Sequence, residues 1–126
     1  MSILQDLLDG TVEGSLTIRL GAGAPAQPFA LATLVEATWK GYAPSPISVQ
    51  SQGYLPSGWS TLNCSGIFNN YSNSSLAIPG AWLVGEVDGV AILLAVCDFS
   101  SSPFTVTTLG PFALFFNWLI YGVPQG

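Results

Sequence analysis

Alternation of polar and apolar residues predicts β-strands along most of this chain. Residues 15–20 and 33–39 alternate with a period of two, which is typical of half-buried strands. Residues 46–50 and 64–69 predict two further short strands, and segments rich in glycine and proline separate them. No long helical pattern lies between these segments. The sequence therefore predicts a mainly β chain folded as an antiparallel β-sandwich or barrel.

The clearest local signal is a β-hairpin near the middle of the chain. Two apolar segments, Ala81–Val87 and Val90–Phe99, flank the dipeptide Asp88-Gly89. Asp-Gly tolerates the positive φ angles of a type I′ turn, which joins adjacent antiparallel strands. Two closing strands are predicted after the hairpin, at residues 104–108 and 112–121.

The last predicted strand is apolar on both faces. One face carries Phe112, Leu114, Phe116, Trp118 and Ile120. The other carries Ala113, Phe115, Asn117, Leu119 and Tyr121. A strand that is apolar on both sides needs cover on both sides. The core covers one face, and a second sheet, the N-terminal helix or another subunit must cover the other.

The chain of 126 residues is predicted to form one domain. Residues 1–10 form a short helical segment in which Ile3, Leu4, Leu7 and Leu8 make an apolar stripe that Gly10 ends. Residues 11–126 form the β domain. Because Asp6 and Asp9 interrupt the apolar start, we expect no signal peptide. Residues 112–121 are too few to span a bilayer. The chain is thus expected to be made in a cytoplasm.

Charged residues are unusually scarce. They make up 7% of the chain, against about 25% in an ordinary soluble domain, while hydrophobic residues make up 49%. A soluble monomer normally presents an abundantly charged surface to water. The composition therefore predicts a subunit of a permanent assembly, which hides part of its outside against neighbours.

The same composition excludes several functions. The net charge is −5, and Arg19 and Lys40 are the only cations, so the chain is not expected to bind nucleic acid or an anionic membrane. Without histidine no Ser/His/Asp, Cys/His or imidazole metal site can form, and no cation-rich setting activates Cys64 or Cys97. We predict no enzyme activity, no cofactor and no metal site.

A few residue patterns still invite a functional interpretation. Glu86 and Asp88 are an acid/base or calcium candidate, although a solvated hairpin turn explains them more simply. Asn63, Asn70 and Asn73 each begin a glycosylation pattern. In a chain expected to lack an export signal, they instead predict a loop whose Asn and Ser side chains satisfy the backbone. Cys64 and Cys97 are predicted to be buried thiols.

The segment Val35-Glu36-Ala37-Thr38-Trp39-Lys40-Gly41-Tyr42-Ala43 is similar to a Glu-Ala-Thr-aromatic-x-Gly-Tyr block in small virion proteins of tailed bacteriophages. The resemblance extends to the short N-terminal helix, the strand at 16–20, Trp59, the segment 67–70 and the hairpin at 84–86. It implies a non-enzymatic structural role, most simply a decoration or cement protein that binds the major capsid protein or other virion proteins on the capsid surface of the virion. A tail or neck component and a receptor- or glycan-binding module are the alternatives.

Interfaces of such assemblies are commonly anchored by aromatic side chains, because these bury much area at little conformational cost. Glu36, Thr38 and Lys40 form a polar row on one face of the strand predicted at residues 33–39. This row can either contact a neighbouring subunit or face solvent. Core packing explains at least half of the aromatic residues, and a sugar-binding platform is another use for exposed ones. A homo-oligomer, with a trimer favoured, is expected. The candidate interface residues are Glu36, Trp39, Lys40, Tyr42, Phe112, Phe115, Phe116, Trp118 and Tyr121.

Overall fold

The structure is a computed structural model that describes residues 3–10, 13–25, 29–54, 59–107 and 109–121; for residues 3–5, 54, 59–60 and 119–121 it describes the backbone alone. Helix α1 spans Ile3–Asp9. The strands are β1 (Ser15–Leu20), β2 (Ser45–Pro46), β3 (Ser48–Tyr54), β4 (Trp59–Asn70), β5 (Leu76–Ile78), β6 (Gly80–Val87), β7 (Val90–Asp98), β8 (Phe104–Val106) and β9 (Gly110–Tyr121).

The strands form three antiparallel sheets. A four-stranded sheet has the order β2-β1-β6-β7, a three-stranded sheet has the order β3-β4-β9, and β5 pairs with β8. The described strands do not close into a barrel. The predicted mainly β, antiparallel fold with one short helix is confirmed, and its form is sandwich-like.

One core lies between the two larger sheets. Ile18, Leu20 and Leu83 enter it from the four-stranded sheet, and Leu62 and Phe68 enter it from the three-stranded sheet; none is more than 1% exposed. Burying side chains of this size supplies most of the driving force for folding. Two sheets bury such side chains together when they pack face to face.

The hairpin has the predicted geometry. β6 and β7 pair in antiparallel register, and Asp88 and Gly89 between them have φ angles of 52° and 77°. Both angles are positive, as a type I′ turn requires. The predicted helix is also present, and it ends at Gly10, which has a φ angle of 75°. The sequence also predicts Ser2 as the N-terminal cap of this helix, and Ser2 lies outside the described residues.

The prediction of a strand at residues 33–39 is wrong. This segment makes only an isolated bridge, between Gly21 and Glu36. The Ala37 amide donates to the Leu20 carbonyl at 2.9 Å, but the Leu20 amide donates to Tyr42 Oη at 3.0 Å. A ladder needs both groups of Leu20 to bond the same neighbouring strand. Because a side chain takes the amide, the ladder does not continue.

Candidate interaction surface

The three-stranded sheet contains no charged residue. Strands β3, β4 and β9 are 7, 12 and 12 residues long, and none contains Asp, Glu, Lys or Arg. The two cations and seven carboxylates of the chain all lie elsewhere. A charge-free sheet is unusual on a free monomer, whose surface is normally mixed and charged. This sheet is therefore the first place to look for a contact with another molecule.

One side of this sheet packs into the core, and the other side faces outward. In the antiparallel register of β4 and β9, Ile67 lies opposite Ala113, Ser65 opposite Phe115, and Asn63 opposite Asn117. Side chains at alternate positions share a face, so these six project from the same side. We call them the outer face: Asn63, Ser65, Ile67, Ala113, Phe115 and Asn117.

The outer face is apolar at its centre and neutral around it. Phe115 is 73% exposed and Ile67 is 66% exposed. Asn63 Nδ2 donates to Ser51 Oγ at 2.8 Å, and Gln50 Nε2 donates to Ser65 Oγ at 3.2 Å. The polar neighbours thus bond one another along the sheet. Shape and apolar contact, with neutral hydrogen bonds at the rim, are what this surface offers to a partner.

The outer side of the four-stranded sheet is covered by the chain itself. Trp82 and Val84 point away from the shared core, yet they are only 2% and 1% exposed. Leu31 and Leu34, from the segment that precedes β2, pack over them. Among the residues that the structure describes, the chain therefore covers the apolar side chains outside the four-stranded sheet, whereas on the outer face Ser65 is buried and Phe115 and Ile67 stay exposed.

The polar candidates at residues 36–42 bond within the chain. Glu36 accepts a hydrogen bond from Tyr42 Oη, and its other carboxylate oxygen lies 3.9 Å from an Arg19 guanidinium nitrogen. Trp39 Nε1 donates to the Asn69 carbonyl at 2.8 Å. Lys40 is exposed. Glu36 thus contacts β1 of the four-stranded sheet, and Trp39 contacts β4 of the three-stranded sheet. These contacts give residues 36–42 a structural role.

Most aromatic candidates pack against one another. The Trp39 and Tyr42 rings meet edge to face at 5.0 Å, and the Tyr42 and Phe68 rings are stacked with centroids 6.3 Å apart. Phe112 lies 5.9 Å from Phe68. The rings therefore form part of the core rather than a free aromatic surface.

The aromatic candidates of β9 divide between its two faces. Phe116 and Trp118 stack at 5.2 Å, and Trp118 is only 4% exposed. Among the β9 candidates whose side chains the structure describes, Phe115 alone is exposed. The side chain of Tyr121 lies outside the described residues.

Sequence reasoning missed the residues that complete the outer face. Ile67, Asn63 and Asn117 were not predicted to lie at an interface, because β4 and β9 are about 40 residues apart in the chain and their pairing is not visible locally. The alternation of apolar and polar residues at positions 62–65 was the available signal. Leu62, Cys64, Gly66 and Phe68 point inward, which leaves 63, 65 and 67 on the other side.

The remaining candidates for chemistry stay apart. Glu86 and Asp88 are exposed at the hairpin tip, as predicted. Within the described parts of the chain, no three His, Cys, Asp or Glu residues are grouped so that they could hold a metal ion. The one helix that the structure describes is too short to cross a membrane.

Both cysteines are free thiols. Cys64 is buried and Cys97 is half-buried. Burial raises the pKa of the Cys64 thiol, and burial together with the nearby Asp98 carboxylate raises the pKa of the Cys97 thiol. A thiol with a raised pKa is a poor nucleophile at neutral pH.

The Asn/Ser loop holds itself together, as predicted. Asn70 is 1% exposed, and its side-chain oxygen accepts hydrogen bonds from the amide and the hydroxyl of Ser72. Its amide nitrogen donates to the Ser74 carbonyl at 3.3 Å. The buried amide thus shapes the turn, and these groups are engaged inside the loop rather than offered to a sugar.

We predict that the chain loses stability as the pH rises above about 9, because three groups with raised pKa values must ionise. Burial, and then the hydrogen bond to Glu36, raises the pKa of Tyr42 far above its ordinary value of 10.0. The thiols of Cys64 and Cys97 are raised above their ordinary value of 9.0. At high pH the unfolded chain therefore binds fewer protons than the folded chain, so the free energy of unfolding falls with increasing pH.

Urea unfolding between about pH 8 and pH 11 measures this slope, which approaches about 1.4 kcal/mol per pH unit for each such group. The double variant Tyr42→Phe, Cys64→Ala is the control and should give a shallower slope. A stability that stays flat to about pH 11 in the unchanged chain would contradict the prediction.

Comparisons with protein-family models, curated proteins and solved structures gave no match for this chain.

Proposed function

We propose that this chain is a non-enzymatic structural protein of a tailed-phage virion, most simply a decoration or cement protein that binds the assembled head shell. The charge-free outer face supports a permanent contact, because an exposed apolar face is stabilised when a partner removes it from water. The similarity of residues 35–43 to a block in small phage virion proteins supports the choice of partner. The major capsid protein is the partner that this proposal names.

The single observation that carries the proposal is the contrast between the two outer sides of the sandwich. The chain covers Trp82 and Val84 with its own residues, yet Phe115 and Ile67 stay 73% and 66% exposed in a sheet without any charge. Under this proposal another molecule covers the second side. A shell protein or a second copy of this chain in a homo-oligomer, such as a trimer, can supply that cover.

The mechanism requires no chemistry. A subunit that binds only the assembled shell stabilises it by mass action, since its binding free energy is lost when the shell comes apart. Repetition over a lattice multiplies the effect, because each copy that contacts two or more shell subunits holds them together.

The test is binding of purified variants to shells assembled without this chain. Ile67→Asp and Phe115→Asp each place a carboxylate at the centre of the outer face, where a contact would bury it without a partner. We expect each to weaken binding by at least about tenfold, because an unpaired buried charge costs several kcal/mol. Cosedimentation with the shells measures binding, and the temperature at which the shells release their contents measures stabilisation.

Val35→Asp is the matched control. Val35 is 67% exposed, almost the same as Ile67, but it lies in the segment beside the four-stranded sheet. This variant should bind as the unchanged chain does. Equal binding of all three variants, or shells whose heat resistance does not change when the chain is added, would overturn the proposal.

A tail or neck position is the alternative structural role. Cryo-electron microscopy of whole particles decides between these positions, because a decoration protein repeats over the head lattice and a neck or tail component does not. Density for the chain at the neck or tail alone would replace the shell assignment.

A further inference from the structure

A groove of about 650 Å³ runs beside β9. Ala113–Trp118 of β9 form one wall, and the opposite wall includes Phe99, Phe104 and Thr105. We call it the edge groove. Ala113, Phe115 and Asn117 belong both to this groove and to the outer face.

The groove follows the edge of β9 rather than one of its faces. Successive side chains of a strand point to opposite faces, so a groove lined by six consecutive residues must run along the backbone. Among the described strands, β9 pairs with β4 alone and lies at the edge of its sheet. The backbone amides and carbonyls on its other edge therefore face the groove without a partner strand.

The walls of the edge groove are neutral and largely apolar. None of its lining residues is an Asp, Glu, Lys or Arg, and burial together with the nearby Asp98 carboxylate raises the pKa of the Cys97 thiol. A charged side chain entering this groove would lose its hydration without gaining an opposite charge. Phe104, which is 46% exposed, and the half-buried Phe99 offer apolar contacts instead.

The two walls restrict what can enter. The wall opposite β9 comes from residues 97–105, which include the end of β7 and the start of β8, and neither of these strands pairs with β9. A strand that already belongs to a sheet would carry its neighbours into the opposite wall. An extended segment that is unpaired on both sides avoids this clash, because it brings only its own backbone.

We propose that the edge groove binds an uncharged, extended peptide segment of a partner protein, which adds to β9 as a further strand. Backbone hydrogen bonds to β9 give the affinity, and alternate apolar side chains meet the groove wall. A segment that pairs with Ala113–Trp118 is about six residues, or roughly 20 Å, long. The statement that a shell protein supplies this segment rests on the proposed function. The ability of the groove to bind an added strand does not depend on it.

A synthetic peptide tests the groove without any virion. The probe is a capped peptide of alternating Thr and Val, about seven residues long, titrated into the isotope-labelled full chain. We expect saturable binding, with hydrogen-exchange protection appearing at alternate amides within residues 113–118. Alternate amides are expected because those between them already bond β4.

Two N-methylated peptides are the matched controls. One carries N-methyl groups at its odd positions and the other at its even positions, so the apolar surface of the two is nearly equal. Strand addition uses the amides of one edge, so one peptide should bind at least about tenfold more weakly than the other. In the chain, Phe104→Asp should also weaken binding of the unmethylated peptide by at least about tenfold. Val35→Asp should leave the affinity for this peptide unchanged.

Three results would overturn the inference. The first is no binding of the unmethylated peptide, and the second is equal binding of the two methylated peptides. The third is protection of residues 113–118 that rises with chain concentration in the absence of peptide, which would assign the groove to a second copy. If the peptide binds as expected but shells do not take up the chain, the groove stands and the proposed function fails.

Discussion

Replacing Phe68 with alanine is expected to lower the free energy of unfolding by about 3–5 kcal/mol. Phe68 is 1% exposed and lies where the core meets the segment before β2. Its ring stacks on Tyr42 and lies 5.9 Å from the ring of Phe112. The alanine variant loses these contacts and leaves a cavity, which the paired backbones of β4 and β9 prevent from closing. Guanidinium unfolding measures the change.

Phe115→Ala is the control for that loss. It removes the same atoms from the neighbouring strand, but Phe115 is 73% exposed, so the free energy of unfolding should change by no more than about 0.5 kcal/mol. The two phenylalanines thus separate folding from binding, since Phe115→Ala should still weaken attachment to a partner. Equal destabilisation by the two substitutions would show that the outer face is buried in the free chain.

Replacing Tyr42 with phenylalanine is expected to lower the free energy of unfolding by about 1–3 kcal/mol. The ring and its stacking remain, and only the hydroxyl is removed. That hydroxyl donates to Glu36 and accepts from the Leu20 amide at 3.0 Å. Without it, the amide at the end of β1 is left without its acceptor in a half-buried setting. Urea unfolding at neutral pH measures the loss.

Tyr71→Phe is the matched control, because it removes a hydroxyl in a solvated position. Tyr71 is 49% exposed, and its hydroxyl lies 3.3 Å from the Asn69 side-chain oxygen. A change within about 0.5 kcal/mol is expected there. If Tyr42→Phe cost no more than Tyr71→Phe, the link between residue 42 and the end of β1 would be unimportant for stability.

The Tyr42 hydroxyl and the Phe68 ring connect the elements that hold the outer face in place. Tyr42 joins the segment before β2 to β1, and Phe68 joins the same segment to β4. Trp39, Tyr42, Phe68 and Phe112 form an aromatic cluster on the inner side of β4 and β9. The outer face lies on the opposite side of these two strands. A substitution in the cluster should therefore disturb a partner's binding through the fold, whereas a substitution at Phe115 or Ile67 acts by direct contact.

Local sequence was sufficient wherever a structure depends on neighbouring residues. Asp88-Gly89 predicted its turn because few other dipeptides accept two successive positive φ angles. The alternation at 15–20 predicted β1 because the period of two is a property of the strand itself. The scarcity of charge was likewise plain from composition, and it directed attention to contacts rather than catalysis.

The segment 33–39 shows where local pattern misleads. It alternates as a strand does, but a ladder also needs a neighbour with free backbone groups. The neighbour's amide, that of Leu20, bonds Tyr42 instead, and Tyr42 comes from outside the alternating segment. Periodicity alone could not predict this competition.

The sequence by itself determined that residues 112–121 carry apolar side chains on both faces, and that charged residues make up only 7% of the chain. Only the tertiary structure decided which face is buried, because that depends on pairing between β4 and β9 and on the sheet that packs against them. It likewise decided that Trp118 lies in the core while Phe115 is exposed. Pairing between distant segments is a property of the whole fold, which no short stretch of sequence encodes.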